Sequence, residues 1–354
     1  MKLITLLASF ASVATTLVAA PNSPSPMKST PDPDMAGVLS HLAKLEPKPI
    51  ETLSAKDARK QPTPADAVAA YLKAKDMKSS PEKVGNVDNR SIDGPDGKIK
   101  IRVYTPEGDG PFPIIVYYHG GGFVIADLDT YDATPRALAN AAQAVVVSSH
   151  YRQGPEHKFP AAHEDAFAAY KWVLANAADL KGDPKRVAVA GESAGGNLAA
   201  AVALMARDQN VALPVHQLLV YPVTDTDVES PSYQENADAK PLNKAMMAWF
   251  FKNAASPADS KDPRLGLLKA ADVKGLPPAT IITAQIDPLR SDGEAFAEKL
   301  KAAGVPVNYR NYEGVTHEFF GMSGAVAKAK EAVSFAAMNL RTAFAGKTPA
   351  GASK

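Results

Sequence analysis

From residue 98 onward the chain alternates two kinds of apolar pattern, and few architectures accommodate that alternation. "KIKIRVYTP" (98–106) alternates polar and apolar residues, as a half-buried strand does. "FPIIVYYHGGG" (112–122), "QAVVVSSHYR" (143–152), "RVAVAGES" (186–193), "HQLLVYPV" (216–223), "PATIITAQID" (278–287) and "VPVNYRNYEG" (305–314) each hold a compact β-type run. Between most of them lie stretches with helical spacing: "TPRALANAA", "AAHEDAFAAYKWVLANAADL", "GNLAAAVALMARDQ", "GEAFAEKLKAAG" and, last, "GAVAKAKEAVSFAAMNLRTAF". Strands that are nearly continuously apolar, separated by helices, build a mainly parallel sheet covered on both faces, an α/β fold. With 45% hydrophobic residues in 354, there is ample material for one large domain of this kind.

The rhythm is broken in two places. Residues 225–265 insert "DTDVESPSYQENADAKPLNKAMMAWFFKNAASPADSKDPRL" between two strand signals. Residues 35–80 are helical in pattern, with "MAGVLSHLAKL" and "PADAVAAYLKAKDM" spacing apolar residues three and four apart, Pro64 at a helix start, and no strand expected. "PNSPSPMKSTPDPD" (21–34) reads as an exposed linker, and 346–354 as a flexible tail.

Lys and Arg number 39 against 38 Asp and Glu, and no basic cluster carries interleaved aromatics, so nothing points to nucleic acid. The absence of cysteine excludes disulfides, thiolate metal sites and a cysteine nucleophile. "MKLITLLASFASVATTLVAA" (1–20) has Lys2 as its only charge, an apolar body and small residues at its end. That is the layout of a secretory signal peptide cleaved after Ala20, which makes the expected location exported, periplasmic or secreted. The alternative is a retained membrane anchor. Beyond this segment no stretch is long and apolar enough to span a bilayer.

Open α/β sheets place their sites at the C-terminal ends of strands. At one such end "GESAGG" (191–196) sets Ser193 among glycines at a strand-to-helix seam. G-x-S-x-G arises by chance in roughly one chain in ten of this length, so its meaning rests on its partners. An activated serine needs a base, a group that orients the base, and donors for an oxyanion. "HGGGF" (119–123) follows a strand and leaves backbone N–H groups free to approach a ligand. Gly121 and Gly122 are the expected donors, with Ala194, the residue after the serine, as the third. "QIDPLRSDG" places Asp287 at a strand end, and "GVTHEFFGM" places His317 after the next strand. His317 alone among seven histidines has both the order and the setting of a base. His119 is better suited to hold the glycine loop in shape. Asp292 is the rival acid, and Asp287 is preferred because it stands nearer its strand. Pro155, Glu156 and Asp165 read as support beneath the site. "MMAWFFKN" (246–253) has the density of a helix facing core or substrate, and Met247, Trp249 and Phe250, with Phe123, are the candidate pocket residues.

These motifs, with "YRQGPEHKFPAAHEDA" (151–166), stand in order over residues 98 to about 340. The chain thereby resembles the hormone-sensitive-lipase family of α/β-hydrolases, the family IV bacterial esterases, whose chain order is also Ser, Asp, His. "YRQG" stands where "YRLA" is usual, and Glu192 where Asp or Thr is common. The resemblance implies a catalytic domain over 81–345, an N-terminal cap over 35–80, and a second cap contribution from 225–265. It implies a serine carboxylester hydrolase for short-to-medium acyl chains, with a small-molecule ester as partner, no cofactor and no metal; a homodimer is compatible with it. Amidase, deacetylase or acyltransferase chemistry shares the same residues, and a ligand receptor is the non-catalytic alternative.

Overall fold

The computed structural model describes residues 29–347. The expected signal segment, most of the expected linker and the last residues of the tail lie outside them. Three helices come first, α1 (Pro33–Lys44), α2 (Ala55–Ala58) and α3 (Pro64–Ala74). α3 opens with a reciprocal cap, in which Thr63 and Asp66 each bond the other's backbone N–H, and with Pro64 in the first turn. The expected linker ends earlier than its composition suggests. Asp32 donates its N–H to Gly314 O (2.8 Å) and pairs with Lys328 (2.7 Å), while Asp34 accepts from the N–H of Ala327 (2.8 Å). Acidic side chains beside free helix N–H groups are stabilising, and these fasten the start of α1 to the last helix.

The sheet begins with a hairpin, β1 (Asn86–Gly94) and β2 (Gly97–Thr105), and continues through β3 (Phe112–Tyr118), α4 (Ala133–Ala142), β4 (Val145–His150), α5 (Ala161–Ala175), β5 (Gly182–Glu192), α6 (Ala194–Asp208) and β6 (Gln217–Val220). The insertion supplies α7 (Pro231–Glu235) and α8 (Lys244–Ala254), after which come β7 (Ala279–Ile286), α9 (Arg290–Ala302), β8 (Val307–Thr316) and α10 (Ala327–Phe344). The eight strands lie in the order β1-β2-β4-β3-β5-β6-β7-β8. β1 and β2 are antiparallel to their neighbours, and β3 to β8 run parallel.

Alternate residues of each strand point to opposite faces, which divides the core in two. Ile114, Val116, Val187 and Val189 pack under α5, α6 and α9, whereas Ile115, Tyr117, Ala188 and Ala190 pack under α4 and α10. α6 is buried continuously from Ala194 to Ala206, so its run of alanines and glycines lets it approach the sheet closely. β1 carries no apolar alternation, because it is an edge strand in which Ile92 is the one buried residue. No helix among the described residues is long and apolar enough to cross a membrane.

Candidate active site

Ser193 sits between β5 and α6 at φ 57°, ψ −118°, a conformation that costs free energy for a residue with a Cβ. The turn is this sharp because its flanks are bare. A Cβ on Gly195 would strike the backbone of Tyr118, and one on Gly191 the backbone of Gly195. The serine is thrust above the strand ends, where His317, just past β8, meets it. His317 Nε2 lies 3.0 Å from Ser193 Oγ, and Nδ1 lies 2.7 Å from Asp287 Oδ2. The second oxygen of Asp287 accepts the N–H of Leu289 (2.9 Å), so the carboxylate is held from both sides. Burial opposes a charged imidazole here, but the Asp287 carboxylate outweighs it and lifts His317 above its ordinary pKa.

Asp292 lies in the first turn of α9, beside Asp225, and makes no hydrogen bond to His317 among the described residues. Burial raises its carboxyl to about 7. Three of the other histidines are tied elsewhere: His163 bonds Asn197 (2.8 Å), His216 bonds Thr280 (2.9 Å), and His41 bonds Gly37 O (2.9 Å).

The glycine loop after β3 curls beside the serine. Gly121 and Gly122 have φ +96° and +58°, which glycine adopts without strain, and Gly121 O accepts from the N–H groups of Val124 and Ile125. Among the described residues the N–H groups of Gly121 and Gly122 have no acceptor. That of Ala194 opens α6, where first-turn amides have no helical partner. His119 is fully buried and braces the loop: its Nδ1 donates to Gly120 O (2.8 Å) and its Nε2 accepts from His150 (3.0 Å). Burial pushes its pKa down to about 3, so it stays neutral. Tyr151 stacks on the His119 ring (4.5 Å) and donates to the carbonyls of His119 and Gly120.

Above Ser193 is a cavity of about 600 Å³. Leu39, Leu42 and Ile50 reach it from the N-terminal helical region, and Leu242, Met246 and Phe250 from the insertion. Among the described residues no group of three or more His, Asp or Glu is placed to hold a metal ion.

A family model described as alpha/beta hydrolase fold matches residues 115–321. Carboxylesterase NlhH of Mycobacterium tuberculosis is 44% identical over 280 residues, which are 76% of this chain and 88% of that protein. Esterase LipI of the same organism is 44% identical over 261 residues, covering 72% and 82%. The solved hyperthermophilic esterase of Pyrobaculum calidifontis superposes with a TM-score of 0.80 at 38% identity, covering 88% of this chain and 98% of its own. The chain belongs to the α/β-hydrolase family. Within it the motifs and relatives are those of the hormone-sensitive-lipase type, and the protein is an enzyme of the carboxylesterase class.

Of the pocket residues expected for this α/β-hydrolase, only Phe250 lines the cavity, where it covers Gly122 so closely that a Cβ there would collide with the ring. Phe123 instead turns below the glycine loop and stacks against His163 (5.6 Å). Met247 faces the core and is 2% exposed. Trp249 donates its indole N–H to Leu53 O (3.2 Å) and so ties α8 to the N-terminal region. The reason is helical geometry: residues 246 and 250, four apart, share the face of α8 that meets the cavity, and 247 and 249 flank that face on its two sides, one turned into the core and the other to Leu53.

Three further residues shape the site, of which only Glu192 stands out in the sequence, as a departure from the usual Asp or Thr. Arg59 donates to Val124 O (2.8 Å) and Gly154 O (2.7 Å) and pairs with Glu156 (2.7 Å), so the N-terminal region is clasped to the glycine loop. Glu192 is buried and accepts from Tyr117 (2.5 Å) and Tyr221, and burial raises it to about 7. Glu318 faces the cavity beside His317. Asp165, as expected, supports the loop below by binding Arg152 through both its backbone N–H and its guanidinium.

Proposed function

We propose that this enzyme hydrolyses small, soluble carboxylic esters of short-to-medium acyl chains, with Ser193 as nucleophile, His317 as base and Asp287 as its orienting acid. The observation that carries this reading is the continuous relay from Asp287 to His317 (2.7 Å) to Ser193 (3.0 Å), with the serine raised on its turn beneath the cavity. Ser193 Oγ attacks the ester carbonyl carbon as its proton passes to His317 Nε2. Asp287 keeps the Nδ1 proton in place and stabilises the imidazolium. The N–H groups of Gly121, Gly122 and Ala194 receive the oxyanion, and a single donor of this kind is worth about 2.7–4 kcal/mol in the transition state. His317 then protonates the leaving alkoxide, and water, activated by the same imidazole, releases the acid from the acyl-serine. The shared lining of the cavity by the N-terminal helices and the insertion supports reading both as a cap.

Ser193→Ala tests this directly. The variant should fold as the parent does by circular dichroism, and its kcat on p-nitrophenyl butyrate should fall by about 10⁴-fold or more. Retention of parental activity would remove Ser193 from the mechanism. The same panel, extended to anilides and to an acceptor alcohol, separates ester hydrolysis from amidase, deacetylase and acyltransferase chemistry. Inactivity of the parent on every ester would favour a receptor.

A further inference from the structure

The serine and the histidine of the relay each have a glutamate as chain neighbour, Glu192 before Ser193 and Glu318 after His317. Their surroundings differ. Glu192 points away from the cavity into a pair of phenols. Glu318 is 19% exposed and lines the cavity itself. Its backbone lies at φ +71°, where a side chain is tolerated at a cost, and its carboxylate comes to lie alongside the imidazole it follows. Glu318 Oε1 stands 3.9 Å from His317 Nε2 and accepts the phenol O–H of Tyr131 at 2.6 Å. Tyr131 is itself buried, with its hydroxyl against Gly120 at the root of the glycine loop.

Asp287 binds Nδ1 of the imidazole. Nε2 is the nitrogen that must take the proton from Ser193 and return it to the leaving oxygen. A carboxylate at 3.9 Å is too distant to hydrogen-bond Nε2 and so does not compete with Ser193 for that proton. It is close enough to act through its charge. Building on the roles given above to Ser193, His317 and Asp287, we infer that Glu318 is a positioning residue. Held by Tyr131, it faces Nε2 of His317 and stabilises the imidazolium that forms as Ser193 attacks.

The groups around Glu318 suit this role. Tyr131, before α4, donates to it, and His317 and Asp287 face it from the ends of β8 and β7. Burial disfavours its charge, and the imidazole and the Tyr131 hydroxyl favour it, so it ionises best when His317 is protonated. Glu192, at the end of β5 and held by Tyr117 and Tyr221, lies at longer range, and because burial raises it to about 7 it carries its charge only from about that pH upward. The three phenols are raised well above their ordinary pKa by burial first and by these carboxylates second, so they remain donors throughout the working range. His119, its ring tilted against that of Tyr131 (5.9 Å), is neutral and adds no charge.

The test is the pH dependence of kcat and kcat/KM on a neutral aryl ester for the parent and for Glu318→Gln, Glu192→Gln and Tyr131→Phe. Removing an anion beside the imidazole lowers the imidazole pKa. The acid limb of kcat/KM for Glu318→Gln should therefore move to lower pH by about half a unit to one unit, with kcat down about tenfold and KM within about twofold. Glu192→Gln should move the limb less. Tyr131→Phe leaves the carboxylate without its donor, disfavours its ionised form, and should move the limb in the same direction as Glu318→Gln. A Glu318→Gln profile that superimposes on the parent's, with only the melting temperature lowered, would reduce Glu318 to packing and overturn the inference. If Glu318→Gln does not fold, the Tyr131→Phe profile decides in the same way. Failure of the underlying relay would show instead as an active Ser193→Ala variant.

Discussion

Asp287 and Asp292 are near neighbours in the chain, both buried and both carboxylates, yet only one of them touches His317. The difference lies in where each stands: Asp287 follows β7 directly, and Asp292 is already inside α9. Asp287→Asn should cut kcat by about 10⁴-fold, because the amide no longer fixes the imidazole tautomer. Asp292→Asn should leave kcat within about threefold, since that carboxyl is outside the relay. Its effect belongs to stability. Burial raises the Asp292 pKa to about 7, above the value near 3.9 of an unfolded chain, so the folded state holds a proton that the unfolded state has lost. This group therefore costs stability progressively as pH rises from about 4 to about 7, and the asparagine, which cannot ionise, escapes the cost. The variant's melting temperature relative to the parent should rise between pH 5 and pH 8, by about 2–4 °C for each kcal/mol relieved. Calorimetric scans at the two pH values check the sign. The relay residues were legible in the sequence because each stands at the end of an apolar strand and in a telling order. Glu318 was not, because its closeness to Nε2 depends on a left-handed backbone residue and on a phenol from a distant loop.

At the scale of elements, the parallel strands were legible because burial on both faces makes them apolar at nearly every position, whereas β1, a polar edge, left no such trace. The lining face of α8 was also hidden. Six of the eight residues of "MMAWFFKN" are apolar enough to pack, and which side meets the cavity is set by how α8 docks on Leu53 and the core. The clasp between the N-terminal helices and the glycine loop is of the same kind. Arg59 bonds Val124 O, and Val124 in turn bonds Gly121 O (3.0 Å), so the helical region is linked to the turn that carries the expected oxyanion donors. Glu156 is half exposed, and the ion pair alone should be worth about 0–1 kcal/mol. The two charge-assisted bonds to carbonyls are less screened and should contribute about 1.5–3 kcal/mol each. Arg59→Met should therefore destabilise the protein by several times as much as Glu156→Gln in urea titrations. It should also lower kcat, while Glu156→Gln leaves kcat near the parent's. Equal losses of stability in the two variants would place the value of the clasp in the ion pair.

For the whole molecule, the N-terminal helices are both roof and core. Met35 and Val38 of α1 are buried in the cluster on the α4 and α10 face, whereas Leu39 and Leu42 reach the cavity. Deleting this region would therefore uncover the core and confound any reading of its part in specificity, and point changes on the insertion side are cleaner. The cavity of about 600 Å³ is walled by side chains from both regions, which limits its depth for an acyl chain. Each methylene that finds a place in it gains about 0.8 kcal/mol, close to fourfold in kcat/KM, until the wall is met. Efficiency on p-nitrophenyl esters should climb to a maximum between about four and eight acyl carbons and then fall, with dissolved monomers preferred to emulsions. Met246→Ala, on the lining face of α8, should shift that maximum to longer chains by removing part of the wall. Met247→Ala, on the flank of α8 that is buried in the core, should lower stability by about 2–5 kcal/mol and leave the chain-length profile in place. A parent whose rate keeps rising through sixteen carbons and jumps once the substrate forms an interface would have a roof that opens onto lipid. The assignment of Met246 and Phe250 as the end wall of the acyl pocket would then fail.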